Sequence, residues 1–146
     1  MFHWYSLAGV ADHIKKQAIA FHARLSNDVV LKHGQTVVFD HVITNIGNAY
    51  NPHTGHFTAP YDGAYFFTTS FLKRYSSDLH LSMLKNSRII SRGHATNSAS
   101  GSVAGSMNAA IFLKKGDVVK IVGFRVTAKI HGDWSFFTGH IITDKV

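Results

Sequence analysis

The stretch from Phe39 to Phe71, FDHVITNIGNAYNPHTGHFTAPYDGAYFFTTSF, decides the fold of this chain. Its turn-forming residues come in short groups, which are NIGN at 45–48, NP at 51–52, Gly55, and PYDG at 60–63. Gly and Asn adopt positive φ easily and Pro fixes φ at roughly −65°, so each group predicts a reversal of the chain. Large apolar residues fill the segments between the turns. This punctuation excludes a helix and predicts short strands.

The composition of the whole chain supports the same conclusion. A length of 146 residues is sufficient for one domain with a buried core. All eight acidic residues are Asp, which is a poor helix former, whereas Glu is absent. Twelve Gly, 11 Phe and many short apolar runs favour a sandwich or a barrel. We therefore predict an all-β chain of about ten strands.

Alternating and two-sided apolar patterns give finer expectations. Predicted strands cover 19–25, 36–45, 64–71, 79–84, 109–113, 118–126 and 136–143, with another opening at 89–90, and the small polar stretch 93–105 predicts a long loop or a loose hairpin. Segments 64–67, 111–113 and 118–122 are apolar on both faces. A second copy of the chain would bury the outward side of these strands, although the two sheets of one sandwich are an alternative.

Motifs outside the deciding stretch complete a family pattern. They are Ala20-Phe21-His22-Ala23, Leu84-Lys85-Asn86, Leu113-Lys114-Lys115-Gly116-Asp117-Val118-Val119 and Phe137-Thr138-Gly139. In this order and spacing, over about residues 19 to 143, the chain resembles the C1q domain family, the globular heads of complement-type recognition proteins. Ser87 stands where the family usually has Gly, and His140 where it usually has an aromatic residue. The resemblance implies an antiparallel jelly-roll β-sandwich that assembles as a homotrimer and is secreted.

The resemblance also divides the chain. Residues 1–17 lie outside the pattern and are interpreted as an N-terminal arm or stem remnant, for which a short helix and an extended arm both remain open. Residues 18–146 are predicted to form the C1q-type globular domain. A Gly-x-y repeat is missing, so we expect a stalkless member. The first residues do not fit a signal peptide. If the protein is secreted, we expect that its signal peptide was removed and is not included in this numbering.

Several function classes find no support in the sequence. The chain lacks Cys, a Gly-x-Ser-x-Gly elbow and a phosphate-binding Gly-Lys-Ser/Thr loop, which predicts a protein that is not an enzyme and has no cofactor. The formal net charge of +7 is scattered rather than arranged in a stripe, so we predict no nucleic-acid partner. No apolar run reaches the roughly 20 residues of a membrane span, which predicts no membrane insertion. The excess of basic residues suits anionic glycans or lipopolysaccharide.

We also predict that the chain has no metal site. His53 and His56 flank a turn, but two imidazoles do not complete a site. Family members often hold calcium through Asp or Glu in the loop after the Leu84-Lys85-Asn86 motif. Here the corresponding stretch, 91–106, contains no acidic residue, so this calcium site is not transferred.

Candidate ligand-binding residues fall in two polar segments. In the first, His131, Asp133 and Trp134 combine an aromatic face with hydrogen-bonding groups, as sugar sites do, although Trp134 could equally pack at a strand end or a subunit seam. The second segment offers Arg74, Tyr75 and His80. We expect a C1q-type lectin of innate immunity that binds carbohydrate or microbial surface patterns. A signalling or adhesion ligand for a protein receptor, adiponectin-like or cerebellin-like, and a structural trimerisation head are the alternatives.

Overall fold

The computed structural model describes residues 16–74, 78–96, 101–124 and 128–146. Within these ranges the chain forms twelve strands: β1 Ala20–Arg24, β2 Val29–Leu31, β3 His41–Ile46, β4 Tyr50–Asn51, β5 His56–Thr58, β6 Gly63–Arg74, β7 Leu79–Lys85, β8 Arg88–Ala95, β9 Val103–Leu113, β10 Val118–Gly123, β11 Ala128–Ile130 and β12 Phe136–Thr143. The all-β prediction is confirmed. The strand number exceeds the predicted one because β2, β4, β5 and β11 have two or three residues each, too few for a periodic pattern.

The strands build two antiparallel sheets. In the seven-stranded sheet, β9 lies along the whole of β6, while β12 and then β11 share the other edge of β6. From there the sheet continues through β1 to β3 on one side and through β2 on the other. The five-stranded sheet has the order β4-β5-β10-β7-β8. The two sheets form the predicted jelly-roll sandwich.

Aromatic side chains fill the space between the sheets. Phe21 stacks on Tyr50 with ring centroids 4.7 Å apart and meets Phe137 edge-on at 4.9 Å. The Tyr50 hydroxyl donates to the Phe39 carbonyl at 2.8 Å, and burial raises the pKa of this phenol. Gly139 has no room for a side chain, because a Cβ would lie 2.5 Å from Cδ1 of Phe67. Rings from the deciding stretch thus interlock with the first and last strands.

Two expectations from the sequence need correction. The stretch 93–105 is not a long loop, since β8 extends to Ala95 and β9 starts at Val103. Small residues fit there because the Phe71 ring lies against Gly93 and Gly105, where a Cβ would come within 2.9 and 2.7 Å of it. The predicted strand over 36–45 begins only at His41, preceded by a single bridge between Thr36 and Val122. Residues 1–15 of the predicted arm, and 97–100, lie outside the described residues.

The two sheets expose different outer faces. On the seven-stranded sheet, Phe66 lies beside Ala110 and His140, and Ala64 beside Phe112, which is 41% exposed. We call this the apolar face; its members are Ala64, Phe66, Ala110, Phe112 and Phe136. The five-stranded sheet has an outer face that we call the imidazole face; its members are His56, His80, Arg92, His94 and Lys120.

Candidate functional site

The predicted residues His131, Asp133 and Trp134 lie on a turn of residues 131–135, which joins β11 to β12. Backbone hydrogen bonds fix this turn on two sides. The His131 N–H donates to the Leu72 carbonyl at 2.8 Å, and the Asp133 N–H donates to the Leu25 carbonyl at 2.7 Å. The turn is therefore held to the end of the first strand and to the longest one.

Gly132 allows the turn to pack closely against the segment after β1. A Cβ at this position would lie 2.5 Å from the backbone carbon of Asn27, so a larger residue does not fit. Its N–H donates to Oδ1 of Asp28 at 2.8 Å. The next residue, Asp133, has a φ of 67°, a left-handed conformation that Asp tolerates better than most residues. Close approach and positive φ together make the turn narrow.

Ser135 closes the turn from inside. Its side chain is buried, accepts a hydrogen bond from the Leu72 N–H at 3.0 Å and donates to the His131 carbonyl at 3.0 Å. Its carbonyl accepts from the Leu25 N–H at 3.1 Å. With both ends of the turn bonded in this way, the residue between Asp133 and Ser135 has little freedom of backbone movement.

Trp134 projects from this rigid turn into solvent. It is 66% exposed, whereas more than half of the aromatic residues in the described part of the chain are buried. Its ring centroid lies 6.3 Å from that of His131. Within the described residues the Asp133 carboxylate accepts no hydrogen bond. The turn thus presents an indole face next to an imidazole and an unused carboxylate.

Asp28 connects the turn to Arg74. Its carboxylate lies 3.1 Å from Nη1 of Arg74 and 3.2 Å from Nδ1 of His131. The Gly132 N–H above all, with the Arg74 guanidinium and the charge of His131, holds the pKa of Asp28 below its ordinary value, although partial burial opposes the shift. Asp28 therefore stays ionised at neutral pH and orients the Arg74 guanidinium, which donates a hydrogen bond to it. The buried Nδ1 atom of His131 faces the same carboxylate without a hydrogen bond among the described residues.

The structure divides the second predicted segment. Arg74 joins the turn through Asp28, and Tyr75 lies outside the described residues. His80 does not belong with them, because it points from β7 to the other sheet's outer face and stacks on His94 with ring centroids 4.2 Å apart. Arg74 and His80 are separated because β6 and β7 belong to different sheets. The sequence analysis missed Asp28, for which the only signal is a Ser-Asn-Asp run directly after β1.

Comparisons with solved structures show what this fold resembles. The globular domain of zebrafish complement 1qA protein matches with a TM-score of 0.74 at 24% identity, over 86% of this chain and 98% of that one. The Eiger TNF structure from S. frugiperda matches with a TM-score of 0.75 at 14% identity, over 90% and 96% of the two chains. The architecture is therefore the jelly roll that C1q and TNF domains share.

Sequence comparisons narrow the assignment. A complement C1q subcomponent of Homo sapiens is 47% identical over 57 residues, which are 39% of this chain and 22% of the relative. Complement C1q tumor necrosis factor-related protein 3 of Mus musculus is 32% identical over 111 residues, 73% of this chain and 44% of the relative. The chain thus spans less than half the length of these relatives. The family model described as "C1q domain" matches residues 20–142.

This protein belongs to the C1q domain family. Globular domains of the C1q/TNF family are non-enzymatic, as the sequence analysis predicted, and they typically form trimers. None of the described residues belongs to a helix with the length and apolar character that membrane crossing requires.

Proposed function

We propose that this protein is a secreted C1q-type lectin that binds carbohydrate on microbial or cellular surfaces through the turn at 131–135. The observation that carries the proposal is the exposure of Trp134 on a backbone that hydrogen bonds hold on both sides. Single exposed apolar residues are ordinary on protein surfaces, so what favours a site here is the fixed backbone of Trp134 together with the polar groups beside it. A rigid aromatic surface also loses little conformational entropy when a ligand binds.

The groups around Trp134 suit a sugar. An indole face covers the apolar side of a pyranose, while neighbouring polar groups exchange hydrogen bonds with its hydroxyls. The Asp133 carboxylate accepts from a hydroxyl, and the Nε2 edge of His131 provides a second polar contact. The Arg74 side chain, 34% exposed, adds a positive charge at the margin of the site. Asp28 balances the Arg74 charge, so a preference for anionic sugars, among them those of lipopolysaccharide, rests on the formal net charge of +7 of the whole chain.

The apolar face supports the expected homotrimer. Each large apolar side chain that leaves water contributes roughly 1.5–3 kcal/mol, and Phe66, Phe112 and Phe136 lie on one surface. A single shallow site around Trp134 should bind sugar weakly, with Kd of about 1 mM. Three sites in one assembly raise the avidity for dense glycans without any new contact. We therefore expect polysaccharide and whole cells to bind much more tightly than free sugar.

The decisive experiment compares four proteins on a glycan array and on polysaccharide-coated beads. Wild-type protein should bind, Trp134→Ala should lose binding, and Trp134→Phe should keep part of it because an aromatic face remains. Ile43→Ala is the matched control, since Ile43 is 55% exposed but lies on β3, away from the turn. Light scattering on each variant checks that assembly is unchanged.

The same experiment separates the lectin from the alternatives. Normal glycan binding by Trp134→Ala would show that the site lies elsewhere, and the groove lined by Asn45, Asn48, Asn51 and His53 is the next candidate. If wild-type protein binds no glycan and instead binds a receptor ectodomain, the signalling or adhesion ligand replaces the lectin. If it binds neither, a structural trimerisation head remains.

A further inference from the structure

The imidazole face carries a group of side chains that the turn at 131–135 does not use. Asp78 immediately precedes β7, His80 lies on β7, and His94 lies on β8. One potential ligand atom from each of the three lies within 4.8 Å of the other two. We propose that Asp78, His80 and His94 form a binding site for a divalent transition metal, with Zn²⁺ as the best fit. This inference is independent of the lectin function.

Strand pairing brings these residues together. Strands β7 and β8 are antiparallel, and their register places His80 directly opposite His94. Because side chains alternate along a strand, Asp78 and His80 point to the same side, two residues apart. His80 and His94 therefore project from two hydrogen-bonded strands, and Asp78 is the residue directly before one of them. Such a base limits the rearrangement that binding requires.

The distances are close to those of a tetrahedral metal site. With ligand bonds of about 2.0–2.1 Å, two ligand atoms on one zinc ion lie about 3.3 Å apart. Nε2 of His94 and Oδ2 of Asp78 are already 3.6 Å apart. The two imidazole rings are parallel and stacked, with an interplanar angle of 10°. Rotation about the side-chain bonds turns their nitrogens toward a common point.

The donor set selects the kind of metal. Two imidazoles and one carboxylate suit Zn²⁺ and its neighbours in the transition series, whereas Ca²⁺ and Mg²⁺ prefer oxygen ligands alone. Three protein ligands leave a fourth position for water or for an oxygen of another molecule. The carboxylate of this site comes from Asp78, which lies outside the stretch 91–106. That stretch contains no acidic residue, so the calcium pattern of the family does not indicate this site.

The surroundings leave the site accessible. The side chains of Asp78 and His94 are each 42% exposed, and a cleft lined by His80, His94, Arg92 and Phe124 opens beside them. The Arg92 guanidinium lies over the Phe124 ring, with 4.8 Å between its carbon Cζ and the ring centroid. That contact holds the Arg92 guanidinium against a ring that lines the cleft.

The test uses zinc chloride and the whole chain at about pH 7.5, where free imidazole is mostly neutral. Isothermal titration should show one Zn²⁺ per chain for wild-type protein. His80→Ala and Asp78→Asn should each weaken binding at least about tenfold, the lower end of what even outer-shell changes do to metal sites. His94→Gln changes an exposed side chain conservatively and should have the same effect. Co²⁺ bound by wild-type protein should give the intense visible absorption of a tetrahedral ion.

The control is the double variant His53→Ala/His56→Ala, which removes two histidines from a turn on the same sheet. It should bind Zn²⁺ as wild-type protein does. Loss of zinc in this control, or unchanged affinity and stoichiometry in His94→Gln, would overturn the proposal. An octahedral cobalt spectrum, or no zinc binding by wild-type protein, would overturn it as well. Far-UV circular dichroism of each variant confirms that lost binding does not come from lost structure.

Discussion

The outer face of the seven-stranded sheet carries Phe66, Ala110 and Phe112, whereas that of the five-stranded sheet carries His80, Arg92 and His94. Both sheets use the same alternation and bury aromatic or aliphatic residues inward. The difference lies only in what each sheet presents outward. An apolar outer face is stable when another copy of the chain covers it, and an imidazole-rich face is stable in water. The contrast teaches that the two outer faces of one sandwich can differ in character, with an apolar face suited to assembly on one sheet and a polar, imidazole-rich face on the other.

The largest expected effect comes from placing a charge on the apolar face. Phe112→Asp should convert a trimer of 16.1 kDa chains to monomers, because three carboxylates would be buried together at the interface. Sedimentation or light scattering measures the mass. His56→Asp introduces the same residue on the imidazole face and should leave the trimer intact. If both variants stayed trimeric, or both became monomers, the two outer faces would not differ in their role in assembly.

A smaller effect is expected where the seven-stranded sheet supports the turn. Gly132→Ala should lower the free energy of unfolding by about 2 kcal/mol or more, since the new methyl group meets the Asn27 backbone. Chemical denaturation measures this change. Gly34 has a φ of 79° and open space around it, so Gly34→Ala tests conformational strain without a clash and should cost about 1 kcal/mol. A Gly132→Ala protein as stable as wild type would mean that the turn can move away.

The five-stranded sheet should show a pH-dependent effect where the β7–β8 turn meets the turn between β9 and β10. The Asn86 amide first, and then the Lys114 N–H, donate to Asp117 and hold its pKa below the ordinary value. The unfolded chain therefore takes up the proton first, so this stabilisation is complete above about pH 4 and disappears as pH falls through the folded pKa.

Asp117→Asn should reduce stability at pH 7 by about 1–2 kcal/mol and make the stability profile below pH 4 flatter. Urea denaturation over a series of pH values measures both. Asp133→Asn, which removes a carboxylate that accepts no hydrogen bond in the described ranges, is the control and should keep wild-type stability at neutral pH. A profile for Asp117→Asn as steep as that of wild type would contradict the assignment.

The smallest expected effect concerns Ser87, which has a φ of 71° in the turn between β7 and β8. Gly adopts this conformation without the penalty that a Cβ brings, so Ser87→Gly should raise stability by about 1 kcal/mol. Thermal denaturation measures the gain. The β7–β8 hairpin belongs to the five-stranded sheet, so the variant should leave the mass of the trimer unchanged. An unchanged mass would fit assembly through the other sheet. A destabilised Ser87→Gly protein would show that the Ser87 side chain itself stabilises the turn.

The sequence alone predicted the features that depend on local pattern. The apolar pattern of 64–71 predicted the strand that contains Tyr65, Phe67 and Phe71, and the family motifs identified the jelly roll. Short strands such as Tyr50–Asn51 were not predicted, because two residues are too few to show a periodic pattern. Such a strand forms only where a partner strand is already in place.

The sites were harder to predict for a related reason. His131 and Trp134 are close in the chain and were found together, whereas Asp28 joins them across the length of the domain. The pairing of His80 with His94 depends on strand register, which one sequence does not reveal. The Asp-Leu-His spacing at 78–80 is visible in the sequence and puts two side chains on the same side of the chain. The sequence does not show that His94 lies opposite them.

The hydrogen bond from Gly132 to Asp28 joins residues 104 positions apart. Closing so long a loop is entropically expensive, so this contact is expected to form after the hairpins of the sheets. The platform under Trp134 would then be among the last parts of the chain to become ordered. A partly folded chain would lack the surface that we propose as the carbohydrate site, so glycan binding would report on the completeness of folding.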